Sequence, residues 1–410
     1  MRGKRRLFRA VAAGLAVAAV AAMAAWHRFS PLRIGLYDLE QADAGAIRSL
    51  LGAGAAGNIG RASVVELDPG ESLESSLARR LRPDLVITYA GAALDGAAAR
   101  FAPLPDALAG RIPPAIRDAA AQGGRRFALP LQADHFELAF RAERLAGRRI
   151  AAPASLAELE SVARALAAAH DWPIFVAGGD DLSLLLLVSA LVESEGGGSA
   201  SKALAGALAG ATSLDGALDA PLPGRTGETS LRGILDGLVR WRDEGLLHSE
   251  WYRMRGADLG AFMERGMAPL VLMPLSLHRT LPSREIRAYG SSAFPPGRGG
   301  AMRSLAAPLM VAAVVERSPR RARALEALTI LVGLEAQKRL CDRTGLAPAV
   351  ASAEALDKQA SDARLWIAAS LGALPDAGRA SKATGTARAD LAREIRRYLE
   401  AGGTGFPVPR

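Results

Sequence analysis

Strand-like and helix-like segments alternate over the first part of the chain. Residues 32–37 (LRIGLY), 63–67 (SVVEL) and 84–89 (DLVITY) each have the length and apolar content of a strand. Helical patterns at residues 44–51 and 71–81 separate them. Parallel strands require a crossover between them, usually a helix, so this alternation favours a parallel sheet. The sequence therefore predicts an α/β protein.

The rest of the chain is long enough for a second lobe. With 410 residues, of which 50% are hydrophobic, the chain exceeds what a single core usually holds. The apolar run 182–195 predicts a buried helix that ends at Gly196-Gly197-Gly198, and residues 269–275 and 285–290 predict further strands. We therefore expect two lobes, each with its own core.

The N-terminus has the pattern of an export signal. Five cations within the first nine residues precede an apolar run from Ala10 to Trp26, and Ala22-Met23-Ala24 fits a cleavage site. The run has 17 residues, the lower limit for crossing a bilayer, so an uncleaved membrane anchor is an equal alternative. Either interpretation places the remaining chain outside the cytoplasm.

Charge and cysteine content argue against two classes of function. The net charge is +9, but the five N-terminal cations leave only +4 for the rest, and no zinc-finger, RNP or phosphate-loop motif occurs. We expect no nucleic-acid binding. The single cysteine, Cys341, excludes an intramolecular disulfide and a cysteine-cluster metal site. We expect no metal and no other cofactor.

Several short motifs occur in an order that resembles one protein family. They are Arg82–Val86 (RPDLV), Ala128–Leu131 (ALPL), Pro153–Leu159 (PASLAEL), Glu195–Gly197 (EGG), Phe262–Ala268 (FMERGMA), Ala293–Gly297 (AFPPG), and the set Glu335, Gln337, Gly345 and Pro348. This order, behind an export signal, resembles the bacterial extracellular solute-binding proteins of family 1, the receptors of ABC importers best known for sugars. Each motif alone has little specificity, but the ordered set covers most of the mature chain.

The resemblance implies a two-lobed α/β fold of the periplasmic-binding-protein type II class, with a ligand cleft between lobes joined by crossover hinges. The expected division is 1–30 signal or anchor, 31–134 plus 290–341 first lobe, 135–289 plus 342–402 second lobe, and 403–410 tail. The implied function is extracytoplasmic capture of a small solute by hinge closure, without catalysis. Solute contacts from both lobes would favour the closed state. In that state, a monomer would present the solute to the transmembrane subunits of an ABC permease.

Solute contacts in such a fold should lie at the carboxyl ends of strands and at the crossovers. The candidates are Asp38, Tyr89, Gln132, Asp134, His135, Gly179, Asp180, Asp181, Trp251, Met273 and Ser276. Some have a structural alternative: Asp180 and Asp181 fit the N-terminal cap of the next helix, and Tyr89 fits a core position. Asp134-His135 is a hinge candidate rather than a catalytic dyad, because adjacent strand residues point to opposite faces.

One departure from the family concerns the solute. Sugar-binding members carry G-x-W after the strand that follows the FMERGMA-like motif, whereas this chain has Met273-Pro274-Leu275-Ser276. The expected solute is a carbohydrate or a related polar compound, but the missing aromatic face makes a smaller, more polar or more aliphatic solute, or a degenerate receptor, an alternative. Two other functions remain open. One is a membrane-anchored sensory or scaffold protein on a degenerate binding-protein fold; the other is a periplasmic hydrolase, although H-E-x-x-H and G-x-S-x-G motifs are absent.

Overall fold

The computed structural model describes residues 30–52, 62–79, 82–117, 121–122, 125–167, 172–224, 228–297 and 304–403. Of the predicted signal or anchor at residues 1–30, the structure describes only residue 30. Of the predicted tail at residues 403–410, it describes only residue 403.

Strands and helices alternate through the described chain. The strands are β1 Leu32–Tyr37, β2 Ala62–Leu67, β3 Leu85–Tyr89, β4 Ala121–Gln122, β5 Arg125–Arg126, β6 Ala128–Ala133, β7 Phe136–Arg141, β8 Ile174–Val176, β9 Leu222–Pro223, β10 Glu228–Thr229, β11 Leu270–Pro274, β12 Tyr289–Ala293, β13 Leu305–Ala306, β14 Leu309–Val314, β15 Ala347–Pro348 and β16 Ala373–Leu374.

The helices are α1 Gln41–Gly52, α2 Leu73–Ala78, α3 Ala92–Gly96, α4 Asp106–Ala109, α5 Pro114–Arg117, α6 Ala142–Ala146, α7 Leu156–Ala167, α8 Asp181–Gly210, α9 Asp215–Leu218, α10 Leu231–Asp243, α11 Gly256–Glu264, α12 Leu275–His278, α13 Ser283–Ala288, α14 Arg321–Leu331, α15 Leu334–Thr344, α16 Lys358–Ala369, α17 Ala377–Ser381 and α18 Gly385–Glu400. Short 3₁₀ turns cover Ala98–Arg100 and Trp251–Arg253.

The first lobe is built on a sheet with the strand order β15-β6-β14-β3-β1-β2. β1 pairs in parallel with both β2 and β3, which confirms the parallel arrangement predicted from the sequence. β14 returns from late in the chain and runs antiparallel between β3 and β6. Apart from the edge strand β2, the long strands of this sheet are buried on both faces, and the core includes Leu32, Ile34, Ile87, Phe101, Phe127, Leu129 and Val311. Burial on both faces explains the near-continuous apolar strand sequences.

The second lobe is built on a sheet with the order β12-β7-β11-β8. β11 is parallel to β8 and antiparallel to β7. The prediction of a strand at residues 285–290 is wrong for its first part, because Ser283–Ala288 forms a helix. That helix starts where the Glu285 amide donates to the Pro282 carbonyl, at 2.8 Å, and the strand begins only at Tyr289. The turn after Pro282 therefore starts a helix where the apolar pattern predicted a strand.

The long helix α8 is the centre of the second lobe. Gly197 inside it has φ of 72°, so the helix is kinked there, close to the end that the sequence predicts. A Cβ on the preceding Gly196 would lie 2.1 Å from the Pro223 carbonyl oxygen, which restricts that position to glycine. Among the described helices, α8 alone has the length and composition of a membrane span, and 72% of its apolar window is buried inside the molecule. We therefore interpret it as a core helix.

Crossover segments join the two lobes. Asp134 and His135 connect β6 of the first sheet directly to β7 of the second. β13 leads into the first lobe and β16 leads out of it, and these two short strands pair in parallel. The lobes are thus joined at a narrow group of strands, which is the architecture that permits hinge motion.

Candidate functional site

One of the contacts between the two lobes is made by a segment that follows the hinge strand β16. This bridging segment, residues 376–388, contains α17, whose first amide (Ala377) donates to Ser189 Oγ of α8 at 2.7 Å. The same segment reaches the first lobe, where the Tyr37 hydroxyl donates to the Ala383 carbonyl at 3.0 Å and the Gly385 amide donates to the Pro69 carbonyl at 2.9 Å. The lobes are therefore in direct contact in this structure.

Asp38 lies at the carboxyl end of β1, in this contact. Its backbone has a positive φ of 49°, and its Oδ2 accepts a hydrogen bond from Arg388 Nη1 at 2.6 Å. Burial raises the pKa of the Asp38 carboxyl, while the neighbouring Arg388 opposes that rise. The predicted site residue thus faces the second lobe and is already paired with a cation from it.

Tyr89 lies at the end of β3 and forms the floor of the same contact. Its hydroxyl donates to the carboxylate of Asp43, and the Arg379 guanidinium lies over its ring, 4.1 Å from the centroid. Arg379 also donates to Asp376 Oδ2 at 2.8 Å and to Glu40 Oε1 at 2.9 Å. Burial raises the pKa of both Asp43 and Tyr89. The structure therefore adds an arginine and further carboxylates to Asp38 and Tyr89.

Sequence reasoning missed the cations of this cluster. Arg379 and Arg388 lie about 340 residues from their partners on the first lobe, too far apart for any local pattern to link them. The structure places them opposite Asp38 and Tyr89 because the chain returns to the second lobe after β16.

Asp134 and Ser276 meet at the hinge. Asp134 Oδ1 accepts from the Ser276 amide at 3.1 Å and from the His135 amide at 2.8 Å, and Oδ2 accepts from Ser276 Oγ at 2.6 Å. Asp134 therefore ties the β6–β7 crossover to the first turn of α12 in the second lobe. The ring of His135 is buried, with its centroid 5.3 Å from that of Trp366 on α16. The pair occupies a hinge position, as the strand geometry suggested.

Burial at the hinge gives Asp134 an unusual titration. Desolvation raises the pKa of this carboxyl to about 6, against the lowering effect of its hydrogen bonds from Ser276 and His135. Because the folded pKa lies above the unfolded value of about 3.9, the folded state binds more protons between these pH values, and stability falls as pH rises from about 4 to about 6. Over this pH range, the Asp134 carboxyl should lower the free energy of unfolding by about 3 kcal/mol. We expect Asp134→Asn to abolish this decrease, which urea unfolding at a series of pH values measures.

Other buried acids also change the free energy of unfolding over this pH range. The profile of the variant must therefore be subtracted from that of the unsubstituted chain. Burial also raises the pKa of Asp38, Asp43 and Asp180. The exposed Asp215→Asn is the matched control and should leave the profile unchanged. Superimposable profiles for Asp134→Asn and the unsubstituted chain would contradict the assignment.

Gln132 and Met273 face the interior of their lobes. Gln132 is fully buried, accepts from Thr344 Oγ1 at 3.1 Å and approaches Cys341 Sγ at 3.7 Å. Burial raises the pKa of the Cys341 thiol to about 11, which makes it a poor nucleophile. Met273 is fully buried in the second lobe. Neither predicted contact residue offers surface to a solute in this conformation.

Gly179, Asp180, Asp181 and Trp251 form a separate group at the start of α8. Arg396 Nη2 donates to the Gly179 carbonyl at 3.0 Å and to Asp181 Oδ1 at 2.6 Å. Asp180 occupies the cap position, yet its carboxylate accepts from the Gly256 amide at 2.8 Å and not from its own helix. Trp251 is 1% exposed in the core of the second lobe. The structure joins these residues to α18 and α11, away from the contact of Asp38 and Tyr89 with the bridging segment.

A cavity of about 260 Å³ lies beside the bridging segment, between the lobes. Its wall combines Gly91 and Asp95, which follow β3 of the first lobe, with α8 of the second lobe and the hinge strands. Its other lining residues are Ser189, Ser201, Lys202, Leu204, Ala205, Ala306, Ala373, Leu374, Pro375, Ala377 and Ala380. The wall is mostly small and aliphatic, with charges from Asp95 and Lys202. The described residues contain no cluster of His, Cys, Asp and Glu that could hold a metal ion.

Comparison with known proteins assigns the fold. The bacterial solute receptor AcbH, with an exclusive preference for β-D-galactopyranose, superposes with a TM-score of 0.68 at 13% identity, covering 90% of this chain and 98% of its own. A Bacillus licheniformis sugar transporter protein in complex with stachyose gives 0.66 at 15% identity, covering 91% and 96%. Maltose-bound MalE3 of T. maritima gives 0.61 at 16% identity, covering 90% and 99%. No protein-family model and no curated protein sequence matches the chain.

The chain therefore has the two-lobed α/β fold of the periplasmic binding proteins, over about 90% of its length. In particular, it has the architecture of the receptors compared above, and the expected two-lobed fold is confirmed.

Proposed function

We propose that the protein is an extracytoplasmic solute-binding receptor of an ABC importer, which captures a small polar solute between its lobes. The observation that carries this proposal is the cavity of about 260 Å³ whose wall includes both lobes and both hinge strands. Because its shape depends on the angle between the lobes, a solute that contacts both sides shifts the population toward one lobe arrangement. The mechanism needs no catalysis, and the proteins of the same fold described above are binding proteins.

The cavity lining suggests the class of solute. Three receptors with this fold bind β-D-galactopyranose, stachyose and maltose, so a carbohydrate or a related polar compound is the first candidate. The volume lies just below the usual range for small-molecule sites, about 300–1,000 Å³, which favours a compound of monosaccharide size. Among the described residues, no aromatic residue lines this cavity. Polar contacts to the solute would come from Asp95, Lys202 and the serine hydroxyls on α8.

The division of the chain and its attachment complete the proposal. β12 belongs to the second sheet and β15 to the first, so we place residues 289–293 in the second lobe and 347–348 in the first. We propose that the N-terminal segment exports the chain or anchors it to the membrane, and that a monomer meets the permease.

A second candidate function is a membrane-anchored sensory or scaffold protein with a degenerate binding-protein fold. The observation in its favour is that the lobes are joined directly to each other by hydrogen bonds and ion pairs. This function requires the apolar N-terminal run to stay uncleaved. N-terminal sequencing of the mature protein distinguishes the two: loss of the run removes the anchor on which the second function depends.

Solute binding can be tested by thermal shift of the full-length chain against monosaccharides, oligosaccharides, polyols and amino acids. A solute at about one hundred times its Kd should stabilise the fold by about 2.7 kcal/mol. Ala205→Phe, which fills the cavity from α8, should abolish the shift. Gly206→Phe is the matched control, because the space around Gly206 is open and the residue does not line the cavity. No shift in any class, or a shift that survives Ala205→Phe, would contradict the proposal.

A further inference from the structure

The most unusual group in the molecule is the guanidinium of Arg379. Its side chain is only 5% exposed, although it belongs to the bridging segment between the lobes. Within the second lobe it pairs with Asp376, and across the lobes it pairs with Glu40 and covers the ring of Tyr89. An arginine at a lobe interface is normally solvated when the lobes separate, so its burial is a property of the closed arrangement.

The first-lobe half of this contact has the chemistry that recognises a guanidinium. A carboxylate next to an aromatic face binds Arg through charge-assisted hydrogen bonds and a cation–π interaction. Glu40 supplies the carboxylate and Tyr89 the face, while Asp43 accepts from the Tyr89 hydroxyl. All three lie at or just beyond the carboxyl ends of β1 and β3, the edge at which solutes bind in folds of this type.

The backbone around this half-site fits the same occupant. Gly91 has φ of 144°, and a Cβ there would lie 2.4 Å from the Arg379 carbonyl oxygen, so only glycine permits the approach. The Nε of Arg379 has no hydrogen-bond partner among the described residues. A buried donor without a partner has a desolvation cost of about 1–3 kcal/mol, which makes this contact easier to release than a fully satisfied ion pair.

Charge balance indicates what Arg379 does for the closed state. Three carboxylates of the first lobe, from Asp38, Glu40 and Asp43, face Asp376 of the second lobe across the contact. The guanidinium groups of Arg379 and Arg388 pair with these carboxylates across the contact. Without Arg379, like charges would face each other across the lobe interface, and repulsion would favour separation.

From this geometry we infer that the edge formed by Glu40, Asp43 and Tyr89 is a guanidinium-binding site, that Arg379 is its resident occupant, and that this contact holds the lobes closed without solute. A solute that binds at this edge must displace Arg379. The inference goes beyond the proposed receptor function and does not depend on it.

The test follows the distance between the lobes in the full-length chain without solute. Fluorophores on Asp106→Cys of the first lobe and Asp215→Cys of the second, both exposed positions, report that distance by FRET, while the native Cys341 is buried and unreactive. Arg379→Ala should lengthen it, and so should Glu40→Gln, which removes the negative charge that Arg379 meets on the first lobe and keeps the pair of Arg379 with Asp376. Arg240→Ala, a 60% exposed arginine of the second lobe, is the matched control and should not change the distance.

Chemical rescue tests the recognition itself. Ethylguanidine replaces the atoms that Arg379→Ala removes, and at about 10 mM it should restore the closed distance in that variant, whereas ethylammonium should not. It should not restore Glu40→Gln, in which the negative charge of the carboxylate is lost and the occupant remains. An unchanged distance in both Arg379→Ala and Glu40→Gln would overturn the inference, and opening of Arg379→Ala without rescue would overturn the assignment of a guanidinium site. Neither outcome bears on solute binding, which the thermal-shift screen measures separately.

Discussion

Glu137→Ala is expected to lower the free energy of unfolding by about 3–5 kcal/mol. Glu137 lies on β7 in the middle of the second sheet, and its carboxylate Oε1 lies 2.6 Å from His278 Nδ1 and accepts from Ser291 Oγ at 3.2 Å. The side chains of Glu137 and His278 are both fully buried. Truncation of one partner leaves the other buried without its hydrogen bond, which costs far more than the net contribution of the pair. Urea unfolding of the full-length chain, followed by circular dichroism, measures the loss.

Two further variants separate pairing from packing. Glu137→Gln keeps an acceptor and the side-chain volume, so we expect a smaller loss, about 1–2 kcal/mol. Glu335→Ala is the surface control: Glu335 pairs with Arg339 one helical turn away, its side chain is 76% exposed, and a change below about 0.5 kcal/mol is expected. If the loss in Glu137→Ala matched that of the surface control, the buried pair would have no structural role.

Gly91→Ala is expected to lower the stability of the fold by about 1–3 kcal/mol through backbone strain and, in addition, to shift the lobes from the closed to the open arrangement. At φ of 144° and ψ of −167°, the backbone is in a region that essentially only glycine adopts, and strain there costs about 1–3 kcal/mol. The added Cβ would also lie 2.4 Å from the carbonyl oxygen of Arg379 in the other lobe. Opening of the lobes relieves the clash with Arg379, so the FRET distance between the labelled lobes should increase.

The comparison for this variant is Gly96→Ala, five residues along the same segment. Gly96 lies in α3, and an added Cβ there would meet nothing within 4 Å. We expect the lobe distance in this variant to equal that of the unsubstituted chain. An equal, closed distance in Gly91→Ala would show that the contact between Gly91 and Arg379 does not control closure.

Much of the fold was predictable, because its strands and helices carry their own local signals. The parallel arrangement of β1, β2 and β3 followed from short apolar runs separated by helices, since strands buried on both faces need continuous apolar sequence. The buried helix α8 was evident from its composition, but the end predicted at Gly196-Gly197-Gly198 is a kink at Gly197, after which the helix continues to Gly210. The strand predicted at 285–290 was partly wrong, because α13 begins directly after Pro282.

The candidate site was only partly predictable. The rule that solutes bind at strand ends nominated Asp38 and Tyr89, and the structure places both at the interlobe contact. The same rule also nominated Met273, and Trp251 was a candidate as an aromatic residue in a predicted loop, but the structure buries both in the core of the second lobe. Strand ends are visible in a sequence, but the sequence does not show which of them face the other lobe.

The sequence by itself determined the α/β class, the succession of most elements and the hinge position at Asp134, because periodicity, turn residues and apolar content act within a few residues of one another. Only the tertiary structure decided that Arg379 and Arg388 reach Glu40 and Asp38 across the lobes. A charge on an exposed helix face has the same local sequence whether it meets water or a carboxylate more than 300 residues away. Its partner is set by how the chain crosses three times between two sheets, and that arrangement results from the burial of the two cores as a whole.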